Sequence, residues 1–390
     1  MAPPRSSSGE PLENGAAVKD TDSESKPLTQ LLSLVPGAAR SAIGNLVAAV
    51  GQPTYRVDQI FDWMYARRAR SFEEMTNLPS DLRERLIDEF TLTPACRSFE
   101  ARSKDGTIKH LWRLTDDEEV ESVLIPTPGR VTLCLSSQVG CALGCRFCAT
   151  GDFGFRRHLD TGEIVAQFRD ADRIAREVYG RPIGNLVYMG MGEPFANQEP
   201  VFESLEVIHY GFGLGARRIT VSTVGIIPGI LALAELAEPY RLAVSLHAPN
   251  HELRLRLVPI EQRYPIDELF AAVDEYQSRK GRRVTFEYTL IEGLNDAKDT
   301  ARELVDLIGR RLVFVNLIPW NPIPSRNWRP STASAARRFL SVLEDAGVPA
   351  AIRTPRGRDI AAACGQLRLE RDLIGEPAPT AAPSRGQESA

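Results

Sequence analysis

The sequence predicts an α/β protein that consists of a partial (βα) barrel, a small N-terminal helical accessory domain and a short antiparallel β extension. Three patterns predict this class. Apolar residues recur at helical spacing between Leu28 and Phe90, and short alternating stretches follow between Arg97 and Leu124. From Val131 onward, strand-like and helical stretches alternate. Repeated βα units favour a parallel sheet that is closed or partly closed.

Composition divides the chain into five expected segments. They are a disordered tail at 1–26, the helical accessory domain at 27–95, the β extension at 96–130, the barrel core at 131–370 and a second disordered tail at 371–390. Both tails are rich in Pro, Ser and Gly, which cannot build a packed core. In the accessory domain, apolar residues between Ile60 and Tyr65 lie at helical spacing, and a second helix follows Pro79-Ser80. The turn Lys104-Asp105-Gly106 separates two strands of the extension.

The barrel core contains seven candidate strands, most of them separated by helical patterns such as 162–179 and 266–279. The candidate strands are 131–135, 186–189, 218–222, 242–246, 284–290, 313–318 and 350–353. Polar or glycine-rich segments follow several strand ends, and the active sites of βα barrels collect at that end. We therefore expect the functional site there.

Composition also limits the cellular setting. The 390 residues are 43% hydrophobic and 25% charged, with a net charge of −4, as in ordinary globular proteins. The first residues contain no apolar run, and no stretch has the length needed to span a bilayer. Six cysteines without a secretion signal indicate a reducing compartment. We expect a cytoplasmic protein with no membrane contact.

Three cysteines lie within eight residues, at Cys141, Cys145 and Cys148. Four cysteines normally hold a cubic iron–sulfur cluster, so three thiolates would leave one iron open to another ligand. The alternatives are a zinc site, which usually recruits a fourth Cys or His, and a buried cysteine cluster. The spacing, with Phe147 before the third cysteine, resembles the radical S-adenosylmethionine (SAM) superfamily. That resemblance implies a [4Fe-4S] cluster, one per subunit, whose open iron binds SAM.

Other candidate residues follow the later strands, and each is a weak signal when it is considered alone. Gly-Glu-Pro is more often an ordinary turn, a lone His is usually structural, and an Asn before Pro is usually a turn residue. Their common position after strands favours cofactor binding. The residues are Gly192, Glu193, Ser222, Ser245, Leu246, His247 and Asn321. Cys134 and Cys364 lie outside the triad, and by default each would be a small buried apolar residue.

Six motifs in order resemble the RlmN/Cfr family of radical SAM rRNA methyltransferases, from about Gly51 to Leu367. The motifs are Cys134-Leu-Ser-Ser-Gln-Val-Gly-Cys141, Phe147-Cys148-Ala-Thr-Gly, Met189-Gly-Met-Gly-Glu-Pro, Ser245-Leu-His-Ala-Pro-Asn, Asn316-Leu-Ile-Pro-Trp-Asn-Pro and Ala-Ala-Cys364-Gly-Gln-Leu. The resemblance implies a barrel of the radical SAM type and methylation of an unactivated carbon of adenine.

In such enzymes one SAM methylates the cysteine at position 364, and a second SAM supplies a radical that activates this methyl group for addition to the base. Cys134 then resolves the adduct through a transient disulfide with Cys364. The resemblance also implies that Glu121 is a glutamate that accepts a proton from the base. By default, a glutamate at this position would be a surface residue. The SAM contacts carry over to the seven residues that follow the strands. The expected partners are 23S rRNA, in some members a tRNA, and an electron donor such as flavodoxin, and we expect a monomer.

Two branches of the family differ in the carbon that they modify. Housekeeping members methylate C2 of adenosine 2503 in 23S rRNA, and some also modify adenosine 37 of tRNA. Resistance-type, Cfr-like members methylate C8 of the same rRNA base. Val139 and Pro194 are similar to the C2 branch, whereas the segments 147–151, 222–229 and 263–268 are closer to the C8 branch. Arg358 stands where many members carry an acid. We expect C2 methylation, with C8 as the alternative.

The surface that contacts RNA is expected in the accessory domain, around Tyr55–Arg70. Basic and aromatic residues lie together there, at Trp63, Arg67, Arg68 and Arg70. A third possibility is a non-catalytic RNA-binding protein that keeps a cluster for structure, in which Cys134 and Cys364 would be dispensable.

Overall fold

One mixed sheet of ten strands forms the centre of the computed structural model, which describes residues 28–367. The tails expected at 1–26 and 371–390 lie outside these residues. The strands are β1 (Thr29–Gln30), β2 (Phe90–Thr91), β3 (Ala95–Arg102), β4 (Ile108–Leu114), β5 (Glu119–Thr127), β6 (Arg130–Leu135), β7 (Gln138–Gly140), β8 (Phe155–His158), β9 (Ile183–Tyr188), β10 (Ile219–Thr223), β11 (Arg241–Ser245), β12 (Val284–Leu290), β13 (Val313–Pro319) and β14 (Ala350–Ile352). The helices are α1 (Pro36–Ala49), α2 (Tyr55–Phe61), α3 (Ser80–Glu89), α4 (Ala149–Phe153), α5 (Thr161–Tyr179), α6 (Gln198–Glu206), α7 (Ile227–Glu235), α8 (His251–Leu257), α9 (Ile266–Lys280), α10 (Lys298–Ile308) and α11 (Ala333–Asp345).

The barrel is formed by β6 and β9–β14, which are parallel and neighbour one another in chain order. Helices connect these strands, as parallel pairing requires. Within the described residues β14 is an edge strand of the sheet, so the barrel is only partly closed. The fold class expected from the sequence is therefore confirmed, with strand bounds that differ by up to three residues.

The β extension continues the barrel sheet and does not form a sheet of its own. β3, β4 and β5 are antiparallel, and β5 pairs with β6 so that Val123 lies opposite Cys134. This register places the first barrel strand between the extension and the rest of the barrel. His110 on β4 is completely buried. Burial, helped by the charges of Arg97 and Arg102, lowers the pKa of His110 to about 3, although Glu100 lies 3.6 Å from its Nδ1.

Local residues determine where the barrel helices begin and end. At the start of α5, the Asp160 side chain accepts from the Glu163 N–H while the Glu163 side chain accepts from the Asp160 N–H, which is a capping box. Gly180 then ends the helix at a positive φ of 65°. Gly281 ends α9 in the same conformation.

Segments that flank the accessory helices, among them Leu31–Ser33 and Leu92, contact the barrel through α5. Arg169 of α5 is fully buried; its guanidinium donates to the Leu92 carbonyl at 2.5 Å and pairs with Asp170 at 2.8 Å. Gly162 allows the close approach of Ser33, whose Oγ would lie 2.5 Å from a Cβ at that position. Between residues 28 and 367, none of the helices has both the length and the apolar character that crossing a membrane would require.

Candidate active site

The three clustered cysteines lie on a loop between β7 and α4, at the carboxyl ends of the barrel strands. Gly140 begins this loop at a φ of 76°, where a Cβ would lie 1.8 Å from the Gly154 carbonyl oxygen. The Cys141 N–H donates to that same oxygen at 2.8 Å, and the Arg146 N–H donates to the Leu257 carbonyl at 3.0 Å. These bonds fix the loop at both sides, so that the cysteine sulfurs line one cavity.

The donor set consists of three free thiols, at Cys141, Cys145 and Cys148. Thiolates are the ligands that iron–sulfur clusters take in proteins, so the chemistry of this donor set fits such a cluster. Burial raises the pKa of all three thiols, that of Cys141 to about 12, and the charge of Cys148 raises the pKa of Cys141 and Cys145 further. Bound metal would hold these sulfurs as thiolates, because coordination to a cation deprotonates a thiol.

The cavity beside this loop, which we call the cysteine-loop cavity, has a volume of about 140 Å³. Six of the seven residues expected to contact SAM line it: Gly192, Glu193, Ser222, Ser245, His247 and Asn321. Leu246 does not line the cavity. Its side chain is fully buried, and its backbone N–H donates to the Glu287 carbonyl of the neighbouring strand at 3.0 Å.

Glu193 is a buried carboxylate that backbone donors hold in place. Its two oxygens accept from the N–H groups of Phe195 at 3.1 Å and Val224 at 2.9 Å, while its own N–H donates to Gln138. Burial raises the pKa of Glu193 to about 7, in spite of these bonds. A carboxylate in such a site gains from a cationic ligand, because the ligand supplies the charge that burial removes. The ammonium group of SAM is a ligand of this kind.

His247 offers the cavity a hydrogen-bond donor. Its Nδ1 accepts from the Thr289 N–H at 3.0 Å, so the proton of the neutral ring lies on Nε2. Burial, with a smaller contribution from Arg254, lowers the pKa of His247 to about 3, which keeps the ring neutral. Nε2 is buried and has no hydrogen-bond partner among the described residues. His247 also has a φ of 59°, and its ring centroid lies 4.1 Å from that of Phe147.

A second cavity, which we call the thiol cavity, is lined by both Cys134 and Cys364 and has a volume of about 110 Å³. Glu287, Asn321 and Cys364 line both cavities, so the two spaces share a wall. Cys134 is buried, whereas Cys364 is exposed to the cavity although protein atoms surround it. Burial raises the pKa of both thiols, and the neighbouring thiol and carboxylate charges raise it further.

The segment that carries Cys364 is tied to the cysteine loop. The Ala149 N–H donates to the Gly365 carbonyl at 2.7 Å, and the Thr150 Oγ1 donates to the Leu367 carbonyl at 2.7 Å. Asn321 Nδ2 donates to the Cys364 carbonyl at 3.0 Å. The thiol and the cysteine loop therefore belong to one rigid assembly.

Glu121 is buried, so it is not the plain surface residue that would be expected by default. It is 2% exposed, pairs with the ammonium group of Lys109 at 2.8 Å and lines neither cavity. Because Val123 lies opposite Cys134, Glu121 projects from the same face of the sheet as Cys134. Its role as a proton acceptor remains an expectation.

Glu287 is a residue of the site that the sequence pattern did not reveal. It is 7% exposed, and Asn316 Nδ2 donates to its Oε1 at 2.8 Å. Burial raises the pKa of Glu287, while the bond from Asn316 and the charge of Arg353 oppose that shift. The available signal is one acid within the otherwise apolar strand Val284–Leu290.

The arginines expected to contact RNA are already paired. Arg68 is 8% exposed and bonded to Asp172, which makes it unavailable for RNA and corrects that part of the expectation. Arg67 pairs with Asp62 at 2.6 Å and lies over the Trp63 ring, and Arg70 lies 3.7 Å from Asp170. Their charges are therefore largely offset within the protein.

Comparison with known proteins is consistent with this geometry. Residues 135–306 match the radical SAM superfamily, and residues 35–92 match the ribosomal RNA large subunit methyltransferase N-terminal domain. The chain is 44% identical to a probable dual-specificity RNA methyltransferase RlmN from Gemmatimonas aurantiaca, over 92% of this chain and 98% of that protein. It is 43% identical to the dual-specificity RNA methyltransferase RlmN of Marinobacter nauticus, over 85% of this chain and 91% of that protein.

One solved structure is similar over most of the chain. It is the crystal structure of a radical SAM methyltransferase from Sphaerobacter thermophilus, at 47% identity and a TM-score of 0.84. The similarity covers 88% of this chain and 100% of that one.

Proposed function

Because the chain belongs to the RlmN family of radical SAM RNA methyltransferases, we propose that it methylates C2 of adenosine 2503 in 23S rRNA. The relatives from Gemmatimonas and Marinobacter carry the RlmN name, which favours the housekeeping branch over C8 methylation. Their description as dual-specificity enzymes supports adenosine 37 of tRNA as a second substrate. We further expect a cytoplasmic monomer that receives electrons from a donor such as flavodoxin.

The observation that carries this proposal is the placement of two thiols beside the cysteine loop. Cys134 and Cys364 line one cavity, which shares a wall with the cavity of Cys141, Cys145 and Cys148. A radical SAM enzyme that only generated a radical would need no such pair of thiols. A methyl carrier and a resolving thiol, by contrast, must lie close enough to form a transient disulfide.

Cys141, Cys145 and Cys148 would hold a [4Fe-4S] cluster. Glu193 and the Nε2–H of His247, together with Gly192, Ser222, Ser245 and Asn321, would bind SAM. When bound, the cluster and SAM supply a methyl group in one turnover step and a carbon radical in another. Exclusion of water by the buried walls protects that reactive species from side reactions.

The protein's own residues would carry the remaining steps. Cys364 would take the methyl group on its sulfur and present the activated carbon to the adenine, forming a covalent bond between the protein and the base. Glu121 would accept the proton that C2 must lose. Once the adduct has lost the C2 proton and one electron, which the cluster would accept, the Cys134 thiolate would attack the Cys364 sulfur and break its bond to carbon. That carbon would take up a proton to become the methyl group, and the disulfide left behind must be reopened by a reductant.

The experiment that tests this proposal is mass spectrometry of 23S rRNA from cells that lack their own methyltransferase and express this protein. We expect 2-methyladenosine at position 2503 with the wild-type protein and none with Cys364→Ala. A Cys364→Ala protein that still methylates adenine would refute the mechanism. The 8-methyl isomer, which elutes and fragments differently, would assign the protein to the other branch.

A further inference from the structure

Three arginines lie within six residues at the mouth of the thiol cavity. We call Arg353, Arg356 and Arg358 the arginine rim. Arg353 and Arg356 line the cavity itself. Arg358 donates from its Nε to Asn321 Oδ1 at 2.8 Å, and Asn321 lines the same cavity. Arg353 and Arg358 are exposed and Arg356 is half-buried, so the rim lies where the thiol cavity meets the protein surface.

Close ion pairs do not offset the rim charges, although the charge of Arg353 acts on the buried Glu287 carboxylate. Among residues 28–367, Arg353 and Arg358 have no carboxylate within ion-pair distance, and the nearest to Arg356 is that of Asp105 at 3.9 Å. The adjacent acid, Asp359, is engaged elsewhere by Ser103. In this respect the rim differs from the arginines of the accessory domain at positions 67, 68 and 70, each of which pairs with an acid.

The rim segment is held in position by the β extension. The turn between β3 and β4 supplies Asp105 Oδ2, which accepts from the Gly357 N–H at 3.1 Å. Ser103 Oγ donates to Asp359 Oδ1 at 2.6 Å, and the Lys104 N–H donates to Asp359 Oδ2 at 3.2 Å. A fixed backbone reduces the entropy lost when the arginines bind a ligand.

Charge changes sign between the mouth of the cavity and its deeper wall. The wall shared with the cysteine-loop cavity carries Glu287, a buried carboxylate, and the thiol of Cys364. An anionic group would be repelled from this wall, whereas a neutral heterocycle would not. The mouth, with three guanidinium groups, favours anions. The cavity is therefore suited to a ligand with a neutral inner part and an anionic outer part.

A nucleotide extruded from an RNA strand has this distribution of charge. Its base enters the protein, while the phosphates on either side remain with the backbone outside. Guanidinium groups bind phosphate through two parallel hydrogen bonds. We propose that the arginine rim binds the RNA phosphates next to the target adenosine and so positions the base against Cys364. This inference rests on the proposed function and identifies the surface through which the enzyme would bind its RNA substrate.

The test compares two triple variants that remove the same number of charges. The rim variant is Arg353→Gln/Arg356→Gln/Arg358→Gln. The control is Arg130→Gln/Arg241→Gln/Arg283→Gln. These three arginines are exposed and lie at or just before the first residues of β6, β11 and β12, which is the end of the barrel opposite the site. Melting temperature and iron content of the reconstituted holoenzymes establish that each variant is folded.

Binding to a 23S rRNA fragment that contains the target adenosine is measured across a range of salt concentrations. Each phosphate contact contributes about 0.7 to the slope of log K against log salt for single strands, so the rim variant should lose about 2 in slope. Its affinity at a salt concentration of about 0.15 M should fall by about tenfold or more. The control should keep the wild-type slope.

Two further variants separate charge from structure. Arg353→Lys/Arg356→Lys/Arg358→Lys keeps the charges and should retain most of the slope, which a purely structural role would not predict. Arg353→Gln/Arg356→Gln spares the bond to Asn321 and should lose about two-thirds of the triple variant's slope change. An unchanged slope in the rim variant, or an equal loss in the control, would overturn the proposal. Failure of the proposed function would appear instead as no methylation of the fragment by the wild-type protein.

Discussion

Replacing Lys109 by Met should destabilise the protein strongly, because it would break a buried ion pair. Lys109 and Glu121 are 3% and 2% exposed, and their charged atoms lie 2.8 Å apart. The substitution removes the ammonium group and leaves the Glu121 carboxylate in surroundings with little water. Removing one partner of such a pair costs about 3–5 kcal/mol. That loss is a large fraction of the roughly 5–15 kcal/mol by which domains are stable.

The measurement is thermal and denaturant unfolding of the wild-type protein, Lys109→Met and Lys109→Met/Glu121→Gln under identical conditions. A loss of this size should lower the melting temperature of Lys109→Met by about 4–6 °C, because the unfolding entropy of a chain of 390 residues corresponds to about 1.2 °C per kcal/mol. The double variant removes both charges and should recover at least half of the loss. As a control, Arg302→Met breaks the exposed pair with Asp299 and should cost less than about 1 kcal/mol.

The same variants separate stability from catalysis. If Glu121 accepts the proton from C2, the double variant should fold but form no methyladenosine. The electrostatic reasoning would be refuted by a loss below about 1 kcal/mol for Lys109→Met, or by a double variant as unstable as the single one. A stable double variant that still methylates RNA would instead exclude Glu121 as the proton acceptor.

Three further predictions concern the thiols, the β extension and the cysteine-loop cavity. The Cys134→Ala variant should keep the iron content of the wild-type protein, but its Cys364 should remain covalently joined to RNA. Denaturing gels should show this adduct as a ribonuclease-sensitive band above the free protein, and release of free methylated RNA would contradict the prediction. His110 is neutral in the fold with a pKa of about 3, so unfolding should become easier below a pH of about 6.5, with about 2 kcal/mol lost between about pH 7 and pH 5. The His110→Gln variant should lose less stability than the wild-type protein over that pH range. Equal losses of stability in denaturant titrations would refute the assignment of this pH dependence to His110. Gly192→Ala places a Cβ 2.6 Å from Gln138 at a φ of 99° and should destabilise the protein by about 1–3 kcal/mol. Gly44→Ala, with no atom near its Cβ, should instead stabilise helix α1 by about 0.5–1 kcal/mol in the same unfolding assay.

The barrel could be predicted because its strands are apolar runs whose ends carry recognisable residues. The parallel strands from Val131 to Ile352 have the alternation with helices that βα units require. The same periodicity brings six expected SAM contacts to one cavity, since the carboxyl ends of parallel strands meet at one edge. Leu246 is the exception, because alternation along a strand end turns its side chain into the core.

The parts that could not be predicted depend on contacts between residues far apart in the chain. Whether Arg68 is free or paired depends on Asp172, which lies on a helix more than a hundred residues later. No local sequence pattern indicates that contact. A basic and aromatic stretch therefore resembles an RNA-binding surface although one of its arginines is buried. Glu287 escapes prediction for the opposite reason, because an acid within a strand gives no indication of which cavity it faces.

The position of the β extension in the barrel sheet explains how distant segments form one reaction site. β5 pairs with β6, which places Glu121 and Cys134 on one face, and the neighbouring turn at 103–106 bonds to Gly357 and Asp359. Those bonds hold the segment that leads to Cys364. A separate small sheet could move relative to the barrel, whereas strands in one ladder cannot do so without breaking hydrogen bonds. The extension therefore helps to hold Cys134, the segment that leads to Cys364 and the arginine rim in fixed positions relative to one another.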